Sequence, residues 1–334
     1  MPELLDALNR GDAASSVQGA ISRSNGKLIN TGQRTEKINL DTLPLYAWDI
    51  LEGFPHMYKP PLFATHRIPA TAILTSRGCP SKCNFCYSGC HSSISTYSAE
   101  YIVEMLIHLK KRYGIKEFML YDDNFVMFRQ NLKKLLTILI DKKFDFTWSC
   151  NARIDMVNEE MLTLMARAGC WQISYGIETG NQRIMNLIGK NITKEKVRET
   201  LRLTRKAGIR TVGYFMIGHF EETQETIDET IEFACAAGLD DFRMSFFTPL
   251  PGTKAFSVAD QYGYFDNDWG KMNLFSPVFI PNGLTRERLI YNQKKAIRKF
   301  FMRPQAIWSY LRMVRNPAIA VKGACQLARY CFHV

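Results

Sequence analysis

Six runs of apolar, β-branched or aromatic residues recur along the middle of this chain, and helical stretches separate them. The runs cover residues 68–76, 117–125, 144–153, 171–180, 209–219 and 241–251. Strands that alternate with helices form βα units, and successive βα units build a parallel sheet. Near-continuous apolar strands are typical of a sheet that helices cover on both faces, or of one that closes on itself. The pattern therefore predicts an α/β fold.

The segments between these runs carry helix signals. Ser98 and Asn158 each precede an apolar stripe with helical spacing, as N-cap residues do. Six βα units fall short of the eight of a complete barrel. We therefore predict a partial, TIM-like (β/α)6 barrel with additions at both ends. The predicted parts are an N-terminal extension with a linker (1–66), the core barrel (67–285) and a basic helical tail (286–334).

The region before the barrel shows two further patterns. Residues 17–30 predict two short strands around an Asn25-Gly26 turn. Residues 40–61 are rich in Pro and aromatics without a sustained period, so we expect a linker packed along the next domain. No apolar run approaches the ~20 residues that span a bilayer. The first residues of the sequence lack the basic-then-apolar pattern of a signal peptide, so we do not expect export. We expect a cytoplasmic protein, at most peripheral to the inner membrane, with reduced thiols.

The net charge of +11 belongs almost wholly to the tail. From Arg286 onward there are eleven Lys and Arg and one acid, Glu287, whereas the rest of the chain holds 32 basic and 31 acidic residues. Interleaved apolar residues predict amphipathic helices, broken by Pro304 and Pro317. Such helices suit an anionic membrane surface, RNA phosphate or the open side of the barrel. Of these three, nucleic acid is the least favoured.

Three cysteines, Cys79, Cys83 and Cys86, follow the first predicted strand with the spacing C-x3-C-x2-C. Chemistry in such folds collects at the C-terminal ends of the strands. A [4Fe–4S] cluster normally takes four thiolates, so three cysteines would leave one iron open to a ligand outside the protein. A structural zinc site takes four donors, usually as two separated pairs. Cys90 or His91 could complete such a zinc site.

The cysteine spacing, with Phe85 before the last cysteine, resembles the motif of the radical S-adenosylmethionine (SAM) superfamily. The resemblance implies a [4Fe–4S] cluster on Cys79, Cys83 and Cys86, with SAM chelated at the open iron. It implies reductive cleavage of SAM to a 5′-deoxyadenosyl radical, which abstracts a hydrogen atom from the substrate. It also implies that Phe85 lies near the adenine and that flavodoxin or ferredoxin supplies the electron.

Other segments resemble SAM-binding motifs of this superfamily in the same order. "YGIETG" (175–180) implies a hydrogen bond from Glu178 to the ribose or amino group of SAM. The alternative for Glu178 is an acid in the first turn of a helix. "YDDNF" (121–125) stands where many members bind the amino group, which makes Asp122, Asp123 and Asn124 candidates. The alternative for these acids is capping of the strand end.

Three more segments supply candidates. Arg153 ends the third strand and could clamp a carboxylate or form a surface salt bridge. "GYFMIGHFEET" (213–223) resembles the fifth-strand motif, but His219-Phe220 stands where a Pro is usual, which leaves the loop conformation open. His219 is the histidine we would test as a catalytic acid or base. "TPLPGT" (248–253) resembles the turn that flanks the adenine, so Pro249 and Pro251 are cofactor-binding candidates.

The resemblance covers residues 17–315 and is closest to the cobalamin-dependent branch, with the anaerobic magnesium-protoporphyrin cyclase and hopanoid enzymes. Only about 40 residues precede the joint to the barrel, whereas a B12-binding module needs well over 100. We therefore expect that this chain has lost that domain, or that the domain has been cut off.

The resemblance and the tail together imply a hydrophobic substrate. The first expectation is a (bacterio)chlorophyllide-type tetrapyrrole whose methyl group is oxidised or hydroxylated, which would make the protein an oxidoreductase of bacteriochlorophyll biosynthesis. One alternative is a cobalamin-linked radical methyltransferase acting on a lipid or hopanoid. The other is a non-catalytic iron–sulfur or zinc protein that docks on RNA or a membrane.

Overall fold

Six parallel strands form the main sheet of the protein. A computed structural model describes residues 2–34, 38–61, 64–87 and 94–313 of the chain. The six strands are β3 (Ala70–Ile73), β6 (Glu117–Leu120), β7 (Thr147–Ala152), β8 (Cys170–Glu178), β9 (Arg210–Ile217) and β10 (Asp241–Phe246). They lie side by side in chain order, and every neighbouring pair is parallel. The sheet is curled into a partial barrel, so the predicted fold class is confirmed.

Helices connect the strands of this sheet. They are α2 (Ala99–Tyr113), α3 (Arg129–Asp141), α4 (Glu159–Arg167), α5 (Gln182–Leu187), α6 (Lys194–Lys206) and α7 (Gln224–Ala236), and α8 (Lys254–Tyr262) follows the last strand, β10. The two predicted N-caps are confirmed: the Ser98 side chain accepts a hydrogen bond from the Tyr101 N–H, and Asn158 accepts one from the Met161 N–H. Three short antiparallel ladders lie outside the main sheet in the described residues. Two are β4 (Ser76–Arg77) with β5 (Ser95–Thr96) and β11 (Gly263–Phe265) with β12 (Phe279–Pro281), and the third is a hairpin near the N-terminus.

Alternate side chains of each strand face opposite sides of the sheet. Phe118 and Trp148 are buried in the core shared with α2 and α3. The hydroxyl groups of Tyr175 on β8 and Thr204 on α6 share a hydrogen bond, with 2.8 Å between their oxygens. Tyr175 therefore faces the helix-covered side of the sheet, as Phe118 and Trp148 do. The residues between these positions face the opposite, concave side of the sheet. Truncating Phe118 or Trp148 to Ala would cost roughly 3–5 kcal/mol of stability.

The described part of the basic tail packs on the barrel. Helix α9 (Arg286–Phe301) stacks Phe300 on Phe242 of β10, with ring centroids 4.9 Å apart. Helix α10 (Pro304–Met313) places the Tyr310 ring 5.2 Å from the Arg210 guanidinium, at the N-terminal end of β9. The predicted helix break at Pro304 is confirmed. Pro317 lies outside the described residues, and none of the described helices is long and apolar enough to cross a membrane.

The chain divides into two compact units, one up to Ile38 and one from Asn39 onward. The first unit contains α1 (Pro2–Asn9) and an antiparallel hairpin of β1 (Ile21–Ser24) and β2 (Lys27–Asn30). The predicted Asn25-Gly26 turn is confirmed, and both residues have positive φ. In the second unit, Leu40 and Trp48 of the predicted linker are buried against the α2 side of the core.

Candidate active site at the carboxyl ends of the strands

The loop that carries the three cysteines is fixed by its central residue, Asn84. The Asn84 N–H donates to the Ile188 carbonyl (3.2 Å), and the side-chain amide donates to the Leu187 carbonyl (2.9 Å). The Asn84 carbonyl accepts from the Ala255 N–H at the start of α8 (2.9 Å). The C-terminal end of α5 and the N-terminus of α8 therefore hold this loop from two sides.

The three cysteines are free thiols, with Cys83 buried and both Cys79 and Cys86 partly exposed. The Cys86 N–H donates to the Cys83 carbonyl at 3.2 Å, which gives the loop a tight turn between these two residues. Burial raises the pKa of the Cys83 thiol, whereas the nearby charges of Lys190 and Arg153 lower it. Burial outweighs these two cations, so the pKa of the Cys83 thiol is raised overall.

Arg153 reaches this thiol from the end of β7. Its Nη1 lies 3.5 Å from the Cys83 Sγ, and its Nη2 donates to Asp155 (2.9 Å) and to the Lys190 carbonyl (3.0 Å). Asn124 Oδ1 accepts from the Arg153 N–H at 3.2 Å. Arg153 therefore forms a salt bridge with Asp155, but its side chain is only 11% exposed, so this is not the surface salt bridge of the alternative interpretation. Its role as a carboxylate clamp stays a prediction.

Glu178 and Lys190 form a buried ion pair beside the same loop. Their Oε1 and Nζ lie 2.8 Å apart, and the side chains are only 11% and 6% exposed. Glu178 has a φ of +73°, a left-handed conformation that a non-glycine residue adopts at a cost. A Cβ at Gly176 would stand 2.5 Å from the Glu178 Oε1 and 3.1 Å from the Lys190 Nζ. The absence of a side chain at Gly176 therefore leaves the space that the Glu178–Lys190 ion pair occupies.

Sequence reasoning did not find Lys190. The nearest signal is the Gly189-Lys190 step directly after α5. Gly189 has a φ of +71°, and a Cβ there would stand 3.3 Å from the Lys82 carbonyl oxygen on the cysteine loop. Gly189 thus permits a close backbone approach to the cysteine loop, but a Gly-Lys step by itself does not predict which loop it approaches.

The three candidates at the end of β6 occupy different environments. The buried Asp122 carboxylate accepts hydrogen bonds from the Thr75 N–H (2.9 Å) and the Ser76 hydroxyl (2.6 Å), and burial raises its pKa. These bonds tie the end of β6 to the end of β3, as strand-end capping requires. Asp123 is exposed, whereas Asn124 is buried and orients Arg153. Their roles toward SAM stay predictions.

His219 lies in a closed aromatic environment at the end of β9. Its ring centroid is 6.4 Å from that of Phe85 and 5.1 Å from that of Phe247. Complete burial lowers the pKa of His219 to about 4, so the imidazole is neutral at pH 7. Neither ring nitrogen has a hydrogen-bond partner among the described residues. The role of His219 as an acid or base stays a prediction.

The loop after β9 is built around Glu222 and Phe220. One Glu222 oxygen accepts from the Gly218 N–H and from the His219 N–H (3.1 Å), and burial raises the pKa of Glu222 to about 8. Where Pro is usual in the motif, Phe220 stacks on Tyr262 with ring centroids 4.6 Å apart. The loop is thus fixed by aromatic packing and a buried carboxyl group.

The "TPLPGT" turn joins β10 to α8 and touches the cysteine loop. Pro249 is buried and Pro251 is half-buried. The Thr253 hydroxyl donates to the Leu250 carbonyl (2.7 Å) and accepts from the Phe256 N–H (3.1 Å), which caps α8. Since the Ala255 N–H in the first turn of α8 donates to the Asn84 carbonyl, the "TPLPGT" turn and the cysteine loop are held next to each other.

The donor set fits an iron–sulfur cluster with a zwitterionic ligand. Three thiols stand on one loop, two cations lie against the innermost thiol, and a carboxylate lies beside them. In the described part of the chain, no three His, Cys, Asp or Glu side chains converge to hold a single metal ion. Cys90 and His91, the candidates for completing a zinc site, lie outside the described residues.

Comparison with known proteins supports the same assignment. The model of the Radical SAM superfamily matches residues 73–234. The chain is 30% identical over 312 residues to an uncharacterised methyltransferase of Pyrococcus horikoshii, covering 91% of this chain and 66% of that protein. It is 27% identical to the anaerobic magnesium-protoporphyrin IX monomethyl ester cyclase of Cereibacter sphaeroides, covering 91% of this chain and 49% of the cyclase.

Solved structures share the fold. The structure of the cobalamin-dependent SAM radical enzyme OxsB with aqua-cobalamin bound superposes with a TM-score of 0.73 and 16% identity, over 99% of this chain and 54% of that one. At this identity the likeness shows the fold alone. The chain spans about half to two thirds of the length of the proteins that it matches.

Proposed function

The chain is a radical SAM superfamily enzyme, and on that premise we propose that it abstracts a hydrogen atom from an unactivated C–H group of a hydrophobic substrate. The observation that carries the proposal is the placement of three free thiols, Arg153 and the Glu178–Lys190 pair on one frame at the carboxyl ends of the strands. The cofactors are a [4Fe–4S] cluster and SAM.

Cys79, Cys83 and Cys86 would hold the cluster. When bound, the cluster supplies an electron that cleaves SAM to a 5′-deoxyadenosyl radical. The protein supplies position and charge: Arg153 and Lys190 offset the negative charge of the thiolates and attract a carboxylate, and Glu178 attracts an ammonium or accepts from a hydroxyl. Phe85 and Phe247 offer apolar contact for an adenine ring.

The substrate in this proposal is a (bacterio)chlorophyllide-type tetrapyrrole, oxidised or hydroxylated at a methyl group. After the hydrogen atom is abstracted, the substrate radical would lose one further electron to a one-electron acceptor, and water would add its oxygen and release a proton. Two observations support this substrate. One relative of the chain acts on magnesium-protoporphyrin IX monomethyl ester according to its name. The concave face of the sheet presents partly exposed aromatic side chains, Tyr121 and Tyr214, which suit a flat apolar molecule.

Methyl transfer is the second candidate. The relative from Pyrococcus horikoshii is named a methyltransferase, and the OxsB structure contains cobalamin. A radical methyltransferase acting on a lipid or hopanoid would take its methyl group from cobalamin bound to a further domain or partner. Added cobalamin that binds tightly and raises turnover would favour this candidate, whereas oxidised product without cobalamin would favour the first.

Two partners belong to the proposal. A flavodoxin or ferredoxin would deliver the electron. An anionic membrane surface in the cytoplasm would meet α10, where Ile307, Trp308 and Leu311 are exposed beside Arg312. A nucleic-acid partner remains the least favoured, because the basic residues of α9 are partly neutralised by Asp228 and Glu232.

Anaerobic reconstitution tests the proposal. We expect about four irons and four sulfides per chain, and 5′-deoxyadenosine from SAM with dithionite. Incubation with magnesium tetrapyrroles, followed by mass spectrometry, should then show a product shifted by one oxygen or by the loss of hydrogen. Zinc alone, with no cleavage of SAM, would instead support a non-catalytic metal protein that docks on RNA or a membrane.

A further inference from the structure

We infer that Arg243 forms a carboxylate-binding site on the concave face of the sheet, at a fixed distance from the cysteine loop. This inference rests on the proposed function and adds a recognition group to its substrate. Arg243 lies on β10 opposite Tyr214 of β9, and Tyr214 lies opposite Gly176 of β8. Residues paired in register project from the same face of a sheet, so these three form one row across three strands.

The row faces the concave side. The neighbours of Tyr214 and Arg243 along the strands, Phe215 and Phe242, pack on each other with ring centroids 5.4 Å apart, and Phe242 stacks on α9. Since successive side chains alternate, Tyr214 and Arg243 project from the face opposite the one that α9 covers. Tyr214 is 39% exposed and the Arg243 side chain 54% exposed, so a ligand can reach both from this side.

The row also ends at the cysteine site. A Cβ at Gly176 would stand 3.1 Å from the Lys190 Nζ, which places the Glu178–Lys190 pair over the Gly176 end. Neighbouring strands lie about 4.8 Å apart, so the Gly176 and Arg243 backbones are about 10 Å apart. A molecule lying over Tyr214 would therefore have one edge near the Glu178–Lys190 pair and the other near Arg243.

Arg243 shares its carboxylate partner with a second arginine. Asp241, whose side chain is 4% exposed, pairs with Arg243 (3.4 Å) and also with Arg210 (3.6 Å). Arg210 is further engaged by the Gln172 Oε1 (2.6 Å) and lies against the Tyr310 ring. The Asp241 carboxylate is thus shared by two guanidiniums, and Arg243 is the more exposed of the two, at 54% of its side chain against 9% for Arg210.

Tyr121 completes the site from β6. It is about half exposed, and it is close enough to Tyr214 and Arg243 for both to act on the pKa of its phenol, which burial raises. A guanidinium offers a planar fork of donors that matches a carboxylate, and two phenols add hydroxyl donors and aromatic faces. The ligand class that fits is a flat apolar body with a carboxylate at its edge.

Titration with a porphyrin probe tests this site. Reconstituted holoenzyme without reductant is titrated with protoporphyrin IX, which has two carboxylates, and with its dimethyl ester, and binding is followed by porphyrin fluorescence. We expect the diacid to bind about tenfold more tightly than the ester, about 1.4 kcal/mol. Arg243→Gln should bind the diacid as weakly as the ester, with its affinity for the ester unchanged. Arg243→Lys should keep part of the preference for the diacid, because lysine retains the positive charge but not the planar fork of donors.

The matched control is Arg202→Gln, which changes an exposed arginine on the outer helix α6 and should bind both probes as the wild type does. The assignment is overturned if the wild type binds the ester as tightly as the diacid, or if Arg243→Gln, shown to be folded by its thermal melt, binds the diacid as tightly as the wild type. Cleavage of SAM by the wild type is measured separately without porphyrin, so a failure of the proposed function is distinguished from a failure of this site.

Discussion

The Glu178 carboxylate and the Lys190 ammonium meet at 2.8 Å although both side chains are almost fully buried. The pair lies over Gly176 and within electrostatic range of Cys83. Burying both charges is costly unless each satisfies the other, and removing one partner leaves an uncompensated charge. The pair is therefore placed where a zwitterionic ligand could exchange contacts with both members.

Breaking this pair should lower both stability and SAM binding. We expect Lys190→Met to destabilise the protein by about 3–5 kcal/mol because it leaves the Glu178 carboxylate buried alone. The double variant Lys190→Met with Glu178→Gln should recover most of the stability but not the affinity for SAM. Thermal melts and calorimetric SAM titrations of reconstituted protein check this. A double variant that binds SAM normally would show that the pair is purely structural.

Gly176→Ala should weaken SAM binding with little loss of stability. The added Cβ would stand 2.5 Å from the Glu178 Oε1, so the flexible ends of Glu178 and Lys190 must move. We expect an affinity loss of about tenfold, or about 1.4 kcal/mol. Gly270→Ala is the control, since the nearest atom to its Cβ is the side-chain oxygen of Asp268, far along the chain from the cysteines. Equal SAM affinity in both variants would contradict the prediction.

Replacing any one of Cys79, Cys83 and Cys86 by Ala should abolish the iron–sulfur absorbance and the cleavage of SAM. Each supplies one of three protein ligands, and a cluster with two is not retained. Cys235→Ala is the control, because Cys235 is a partly buried cysteine on α7. Iron and sulfide analysis after anaerobic reconstitution gives the readout. Full iron content in a variant of the trio would exclude the assigned ligand set.

Glu222 should make the protein less stable as the pH rises from about 5 to 8. Burial raises its pKa from 4.5 in the unfolded chain to about 8 in the folded protein. The folded state therefore binds a proton that the unfolded state releases above its own pKa, and this contribution is lost as the pH approaches the folded pKa. Glu222→Gln keeps an oxygen for the two N–H donors and should melt higher than the wild type at pH 8, by at least about 2 °C. At pH 4 the two should melt alike.

His219 should make the protein less stable as the pH falls below neutral, whereas Glu222 does so as the pH rises. Burial lowers its pKa from 6.5 to about 4, so the unfolded chain binds a proton that the folded protein excludes. Stability from this group is complete above pH 6.5 and is lost as the pH falls toward 4. His219→Leu should therefore lose less stability between pH 7 and pH 5 than the wild type, as measured by denaturant unfolding. A parallel loss in both proteins would mean that His219 is not buried neutral.

The sequence by itself determined the features that depend on residues close together in the chain. The period of apolar residues located the six strands of the main sheet, although several of them are shorter than the apolar runs. The Asn25-Gly26 step located the hairpin, and three closely spaced cysteines follow the first strand of that sheet. Each of these follows from residues a few positions apart, where backbone geometry leaves few alternatives.

Only the tertiary structure decided which side chains meet. Asp122 and Asp123 are equivalent in sequence, yet strand direction turns Asp122 toward Thr75 and Ser76 and leaves Asp123 exposed. Lys190 reaches Glu178 because the chain returns to the cysteine loop after α5, and Arg243 aligns with Tyr214 because of the register of β9 and β10. Register and the path of a connection set these distances, and neither is contained in the spacing of residues along the chain.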